Sequence, residues 1–267
     1  MSGALTAWVE SVALLGPGLP DWPSAAQVLA GTAAYDPHPT VLPPLGCLPP
    51  AERRRTGKVV RLALTVGLEA VARAGADAGK LPAVFSSSGG DGENCHEICQ
   101  ALASAERQIS PTRFHNSVHN AASGYWGIAT GATAASNALC AFDASFGAGL
   151  LEALVQIRVD ETPVLLIAYD ADYPQPMRSV RPIPDAFAVA LLLTPAARQG
   201  SMARLTVDLS AASAERLADP QLEALRAQVP AARSLPLLRR LARSERAAVV
   251  LDYLESQRLR IEVSPCH

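Results

Sequence analysis

The chain has 267 residues, with 23 Lys and Arg against 25 Asp and Glu; the formal charge of −2 leaves no cationic surplus for gripping nucleic acid or an anionic bilayer. Hydrophobic residues make up 49% and charged residues 18%, enough apolar side chain for a sizeable core and too little charge for a disordered chain. Only 5% are aromatic, so the interior is expected to be layers built from Ala, Val and Leu rather than an aromatic-lined cavity.

Residues 1–12 lack the basic start and unbroken apolar run of a secretory signal, and no later run approaches the roughly 20 residues that span a bilayer. A cytoplasmic protein without membrane insertion is expected. Five cysteines, Cys47, Cys95, Cys99, Cys140 and Cys266, are odd in number and scattered, which fits reduced thiols.

Residues 5–14 mix β-branched and apolar types and stop at Gly16-Pro17-Gly18, which predicts a strand ending in a loop. The Pro-rich stretch from Asp36 to Pro50 predicts irregular backbone, because proline lacks an amide donor and restricts its predecessor. From Pro50 to Ala78, Val59, Leu62, Ala63, Val66, Ala70 and Val71 recur at helical spacing and predict one long amphipathic helix. Its first turn carries Arg53, Arg54 and Arg55, which opposes the helix dipole and calls for an ion pair or an acidic partner.

Residues 82–85 predict a short buried strand running into the turn Ser86-Ser-Ser-Gly-Gly-Asp-Gly92. No Lys-Ser or Lys-Thr follows, so the turn is read as ordinary rather than as a phosphate loop. Residues 93–107 predict a helix. On it, Cys95, His96 and Cys99 lack a fourth ligand for a metal, and the two cysteines are read as buried thiols on a helix face.

Residues 137–142 predict a buried strand, with Asp143 at its joint to a helix on which Leu150, Leu151, Leu154 and Ile157 recur. Residues 163–170 and 186–193 predict strands buried on both faces. Residues 202–209 alternate as an edge strand, 213–256 read as helical with breaks at Pro230 and Pro236, and 259–263 alternate as a last strand. Apolar strands separated by helices predict the α/β class: a mostly parallel sheet of about five strands covered by helices on both faces. One domain over residues 1–267 is expected, with its core in 5–195 and residues 200–267 packing on that core.

Asn120-Ala-Ala-Ser-Gly124, then Gly131, a strand, and a small-residue helix start resemble the stretch of beta-ketoacyl synthases that leads to their nucleophilic cysteine. Counting from that motif, Asp143, nineteen positions after Gly124, falls in the nucleophile's place. The first strand's Gly-Pro-Gly ending and Arg181-Pro182 ahead of Phe187 agree with the same family, over residues 5–195, one half of a thiolase-type fold. Residues 52–56, 115–124 and 141–153 are similar to the short beta-ketoacyl-synthase-like proteins of aryl polyene pathways. Those proteins resemble chain-length factors, which lack catalysis, pair with a competent ketosynthase and help shape its acyl tunnel.

A synthase attacks its acyl thioester with a thiolate. Asp143 supplies none, and Cys140 lies three residues earlier, inside the predicted strand, where it reads as buried and inert. The family also draws two histidines, or a His and an Asn, from the second half of its fold, and after Val189 this chain has only His267. The resemblance therefore implies no catalytic residue and no cofactor or metal. It implies tunnel or gating positions at Phe114, His115, Val118, His119, Asp143 and Ser145, and interface positions at Asn137, Leu139, Cys140 and Phe142. The implied partner is an active ketosynthase, with acyl carrier protein engaged indirectly and a homodimer as the assembly in isolation.

Read from the residues alone, Asp143 is a helix N-cap. His115 or His119 could serve Ser145 as base, but Ser145 lacks the Gly-x-Ser-x-Gly elbow. The rival function is a stand-alone acyltransferase or thioesterase acting on carrier-protein thioesters through Ser145, Cys140 or Asp143.

Overall fold

A computed structural model of the chain describes residues 4–266. Strand β1 (Leu5–Leu15) leads through a turn to helix α1 (Trp22–Ala30). The Asp21 carboxylate starts α1 by accepting the Ser24 N–H at 2.8 Å, and Gly31 stops it with a left-handed φ of 85°. The chain continues with α2 (Pro50–Arg53), α3 (Lys58–Arg73), β2 (Ala83–Ser86), α4 (Gly92–Ala103), α5 (Pro111–His115), α6 (Ala121–Thr130) and β3 (Ser136–Leu139). Then come α7 (Ser145–Asp160), β4 (Val164–Asp170), α8 (Met177–Val180), β5 (Phe187–Thr194), β6 (Ala203–Ser210), α9 (Pro220–Gln228), α10 (Leu235–Arg243), β7 (Ala247–Asp252) and β8 (Arg258–Pro265).

The strands form one 8-stranded sheet in the order β3-β2-β4-β5-β1-β6-β8-β7. The class is α/β as expected, but the sheet is longer and less parallel than the reading of about five strands. Only β3–β2 and β2–β4 pair in parallel. Strands β1 to β4 all run the same way, but β5 is inserted against β4 and β1, and β6, β8 and β7 extend the sheet by antiparallel pairing. Strand β6, read as an edge, lies between β1 and β8. Strand β7 replaces part of the predicted helical stretch, because a short apolar run such as Ala247-Ala-Val-Val-Leu251 carries no period that separates helix from strand.

Both faces of the sheet are buried. On β4, Val164, Leu166 and Ala168 face one apolar cluster, and Leu165, Ile167 and Tyr169 face the other; β5 alternates in the same way, as the period of two requires. On β1 the parity switches from Ala7 and Val9 to Val12 and Leu14 within one cluster, across a register shift at Glu10. Such a bulge turns the following side chains to opposite faces. Glu10 fills the irregularity by accepting the hydroxyls of Thr194 at 2.8 Å and Ser201 at 2.6 Å.

Helices α3 and α6 cover one face through Leu62, Val66, Tyr125 and Trp126. The other face is covered by α1 and α7 together with the C-terminal segment, through Phe146, Leu150, Leu154, Leu222, Leu235 and Leu238. The predicted helix from residue 50 is cut at Arg54–Gly57. The arginines therefore stand at a break, and the cation in the first turn of α3 is Lys58, paired with Asp172 at 2.6 Å. Cys95 and Cys99, read as core thiols, are exposed, because α4 packs through Gly92 and Asn94 instead.

Leu238 is fully buried in the C-terminal segment. Leu238→Ala is expected to destabilise the whole chain by about 2–5 kcal/mol. Urea unfolding of wild type and variant, followed by circular dichroism and tryptophan fluorescence, should show coincident single transitions; separate transitions would mean that the segment folds apart from the sheet.

Candidate functional site

The joint between β3 and α7 is built by local hydrogen bonds. After β3, Phe142 to Ala144 form a 3-10 turn that leads into α7. Phe142 has φ 51°, a left-handed conformation that costs a non-glycine residue roughly 1–2 kcal/mol. Ser145 holds it: its Oγ accepts the Ala141 N–H at 3.1 Å and donates to the Phe142 carbonyl at 2.7 Å. The Ser145 carbonyl in turn accepts the Ser86 hydroxyl at 2.6 Å, which fixes the start of α7 to the end of β2. Gly149 permits that approach, since a Cβ there would lie 2.8 Å from the Ser86 Cβ.

Asp143 does not cap α7, contrary to its reading as an N-cap; the helix has no side-chain cap bond. Its Oδ1 accepts from Arg181 at 2.8 Å and its Oδ2 from Arg233 at 3.0 Å. Charge-assisted bonds to guanidinium are stronger than a bond to a neutral amide, so the arginines win the carboxylate. Arg181 also lies over the Phe142 ring, its guanidinium carbon 3.8 Å from the centroid. Arg233 reaches on to Asp252 at 3.5 Å, and Asp252 is held by Arg226 at 2.6 Å.

A second centre surrounds the Ser86–Ser88 turn at the end of β2. Asp170, buried at the end of β4, accepts the Ser88 N–H at 2.8 Å and hydroxyl at 2.6 Å, and the Ala231 N–H at 2.8 Å. Burial outweighs these bonds and pushes its carboxyl up to about 6. His119 donates Nε2–H to the Ser87 carbonyl at 3.1 Å, a contact that fixes the tautomer because a carbonyl only accepts. The Cys140 thiol donates to the Ser88 carbonyl at 3.1 Å. In the sequence Asp170 marks only the end of a strand. The available signal was an acid closing a strand that is apolar on both faces.

The residues expected to line or gate a tunnel separate into two groups. Phe114, His115 and Val118 line an open surface groove of about 460 Å3, with Tyr125 and Ile128 on its wall. Phe114 is 69% and Val118 53% exposed, and exposed His115 sits edge-on to Tyr125 at 6.3 Å. His119, Asp143 and Ser145 are not in that groove: His119 is turned to Ser87, Asp143 to the arginines, and Ser145 is buried with its hydroxyl committed. Among the described residues, no hydrogen bond joins either histidine to Asp143, Cys140 or Ser145; His267 lies outside the described residues.

The residues expected at an interface lie on an open margin. Strand β3 pairs only with β2, so it is a sheet edge, and its four residues are exposed or half-buried rather than buried as predicted. The apolar run that suggested a longer strand continues past Leu139 into the 3-10 turn. Asn137 is exposed and donates to Glu152 at 2.8 Å, and Leu139 is half-buried against the core. Phe142 is 61% exposed. Cys140, read as a buried strand thiol, is exposed beyond the strand's end.

The half-sheet of four like-directed strands with β5 inserted, and the strand-turn-helix joint at Asp143, define a ketosynthase-type chain. The family profile described as the beta-ketoacyl synthase N-terminal domain matches residues 22–255, and the chain belongs to that family. Among solved structures it is similar to a chain in the complex of a ketosynthase (ApeO) with its chain length factor (ApeC) from Xenorhabdus doucetiae. That match has a TM-score of 0.75 and 26% identity, over 97% of this chain and 99% of that one. A chain of a type II acyl-carrier protein complex with its ketosynthase, AntDE:AntF, matches with a TM-score of 0.75 and 11% identity over 100% of both. A ketosynthase from module 6 of the bacillaene synthase of Bacillus subtilis matches with a TM-score of 0.58 and 12% identity, over 84% of this chain but only 44% of that one. No curated protein sequence matched. No helix among the described residues is long and apolar enough to cross a membrane.

Because the Asp170 carboxyl is raised from 3.8 to about 6, the folded chain binds more protons than the unfolded one across that window. Stability from this group is full below 3.8 and is lost as pH rises through about 6. The stability difference between wild type and Asp170→Asn is expected to move against the wild type by up to about 3 kcal/mol across the window. Urea midpoints measured along that pH range test it; a flat difference refutes the protonation.

Proposed function

We propose that this chain is a non-catalytic, chain-length-factor-type subunit that pairs with an active beta-ketoacyl-ACP synthase. The pathway is of the aryl polyene kind, a type II system related to fatty-acid and polyketide synthesis. The observation that carries the reading is Asp143. It stands where the family's nucleophile is expected, and both carboxylate oxygens are taken up by Arg181 and Arg233. A carboxylate in two ion pairs has no thiol to carry an acyl group. Ser145 offers no substitute, since its hydroxyl is buried and bonded at both ends. The 26% identity to a chain of a ketosynthase and chain-length-factor complex supports the same reading.

The partner surface is the margin that β3 leaves open. Asn137, Leu139, Cys140 and Phe142 form its strand and turn, and α6, which packs beside β3, carries one wall of the Phe114 and Val118 groove. Apolar side chains this exposed at a sheet edge are characteristic of an interface. In the pair, Phe114, His115 and Val118 border the acyl tunnel and limit product length; His119, held on the Ser87 carbonyl, is outside that groove. Acyl carrier protein is served through the ketosynthase, and self-pairing through the same edge would give a homodimer when the ketosynthase is absent.

The test is co-expression with a beta-ketoacyl-ACP synthase from the same genome. Co-elution at equal stoichiometry is expected, with no acyl adduct on this chain after exposure to acyl carrier protein thioesters. An acyl adduct or thioester hydrolysis by the isolated chain would establish the acyltransferase or thioesterase reading instead.

Phe114→Asp with Val118→Asp is expected to weaken ketosynthase binding at least about tenfold. Tm of the isolated chain should stay within a degree or two, because both side chains are exposed. Isothermal titration and thermal melts read the two effects; unchanged affinity would remove this groove from the interface.

A further inference from the structure

Asp143 joins parts of the chain that are distant in sequence. Arg181 follows α8, and Arg233 lies on the 3-10 turn Pro230–Ser234 within the C-terminal segment. From Arg233 the ion pairs run to Asp252 at the end of β7, to Arg226 at 2.6 Å from Asp252, and to Glu223 at 2.8 Å from Arg226. The 3-10 turn is also held from the sheet side, by Ala231 N–H on Asp170 at 2.8 Å. On the other side, Arg181 touches both the Asp143 carboxylate and the ring of Phe142.

From these contacts we infer that Asp143 is a positioning residue: it transmits the seating of the C-terminal segment to the turn that presents Phe142 and strand β3 to a partner subunit. The inference rests on reading that margin as the partner surface. Two observations support it. The arginine side chains are 18% and 20% exposed and the Asp143 side chain 40%, so both pairs sit between a buried and a fully solvated ion pair. Both Nε atoms are buried without a partner, and Asp143 is the carboxylate that the two guanidiniums share, Arg233 having Asp252 as well at 3.5 Å. Without it, two like charges would face each other at low exposure and move apart. Arg181 would then leave the Phe142 ring, and Phe142 would relax from its left-handed backbone, since Ser145 alone would hold it.

This connection differs from a local surface ion pair in its reach. Loss of Asp143 should loosen two segments at once, Ser136–Phe142 and Ala231–Leu235, while β4 and β5, buried on both faces, stay as they are. A cap or a simple stability role would loosen only the start of α7.

The experiment has two arms. In the isolated chain, hydrogen exchange is compared for wild type, Asp143→Ala, Asp143→Asn and Arg233→Gln. Exchange about tenfold faster is expected in both segments for all three variants, with formate restoring protection in Asp143→Ala by filling the carboxylate's place. Faster exchange in one segment alone, or in neither, overturns the inference, and so does a failure of formate when both segments have loosened. In the second arm, affinity for the ketosynthase found to co-elute with the wild-type chain is measured. About tenfold weaker binding by Asp143→Ala is expected, recovered by formate. If wild type binds and Asp143→Ala binds equally well, the transmission is refuted while the proposed function stands. If no ketosynthase co-elutes with wild type, the proposed function fails, and the link between the two segments is judged on the exchange arm.

Discussion

The structure depends on the burial of β4 and β5 on both faces. Every residue of each strand is buried, so an apolar layer must lie on each side. One layer, α3 and α6, comes from the first half of the chain. The other combines α1 and α7 with α9, α10 and the 3-10 turn of the C-terminal segment. In the bacillaene-synthase ketosynthase the matching region is 44% of the chain, so more than half of that protein lies outside it. Here, residues 203–265 extend the sheet and close the second face.

Closing that face places the C-terminal segment against the joint between β3 and α7. Asp170 reaches it from the sheet through Ala231, and Asp143 reaches it from the turn through Arg233. The joint keeps the shape of a strand-turn-helix corner, with Ser145 fastening the turn and Gly149 bringing α7 close to β2. Its polar groups are spent on each other and on arginines. What remains open is the outer side: the β3 edge, Phe142, and the groove beside Phe114.

Much of this was legible from the chain itself. The fully apolar runs at 163–170 and 186–193 are strands because nothing but a sheet covered on both faces suits them. The small-residue helix after Asp143 is α7, and the ordered motifs around it identify the family. Other features were hidden for physical reasons. The alternation of 202–209 marks a half-buried strand but does not say that β8 lies beyond it. The exposure of Cys95, Cys99 and Cys140 depends on which side of an element the rest of the chain covers, which no local pattern records. The ion pairs of Asp143 join positions 38 and 90 residues apart, and spacing of that kind leaves no trace in periodicity.

The place of β1 has a consequence for how the chain is made. Strand β1 is synthesised ahead of every other strand among the described residues, yet it is an interior one, flanked by β5 on one side and β6 on the other. Neither neighbour exists until residues 187–210 have been synthesised. Until then its apolar side chains have no sheet to join, and the nascent chain carries an unpaired, sticky segment. Long-range pairing of that kind favours slow, late assembly.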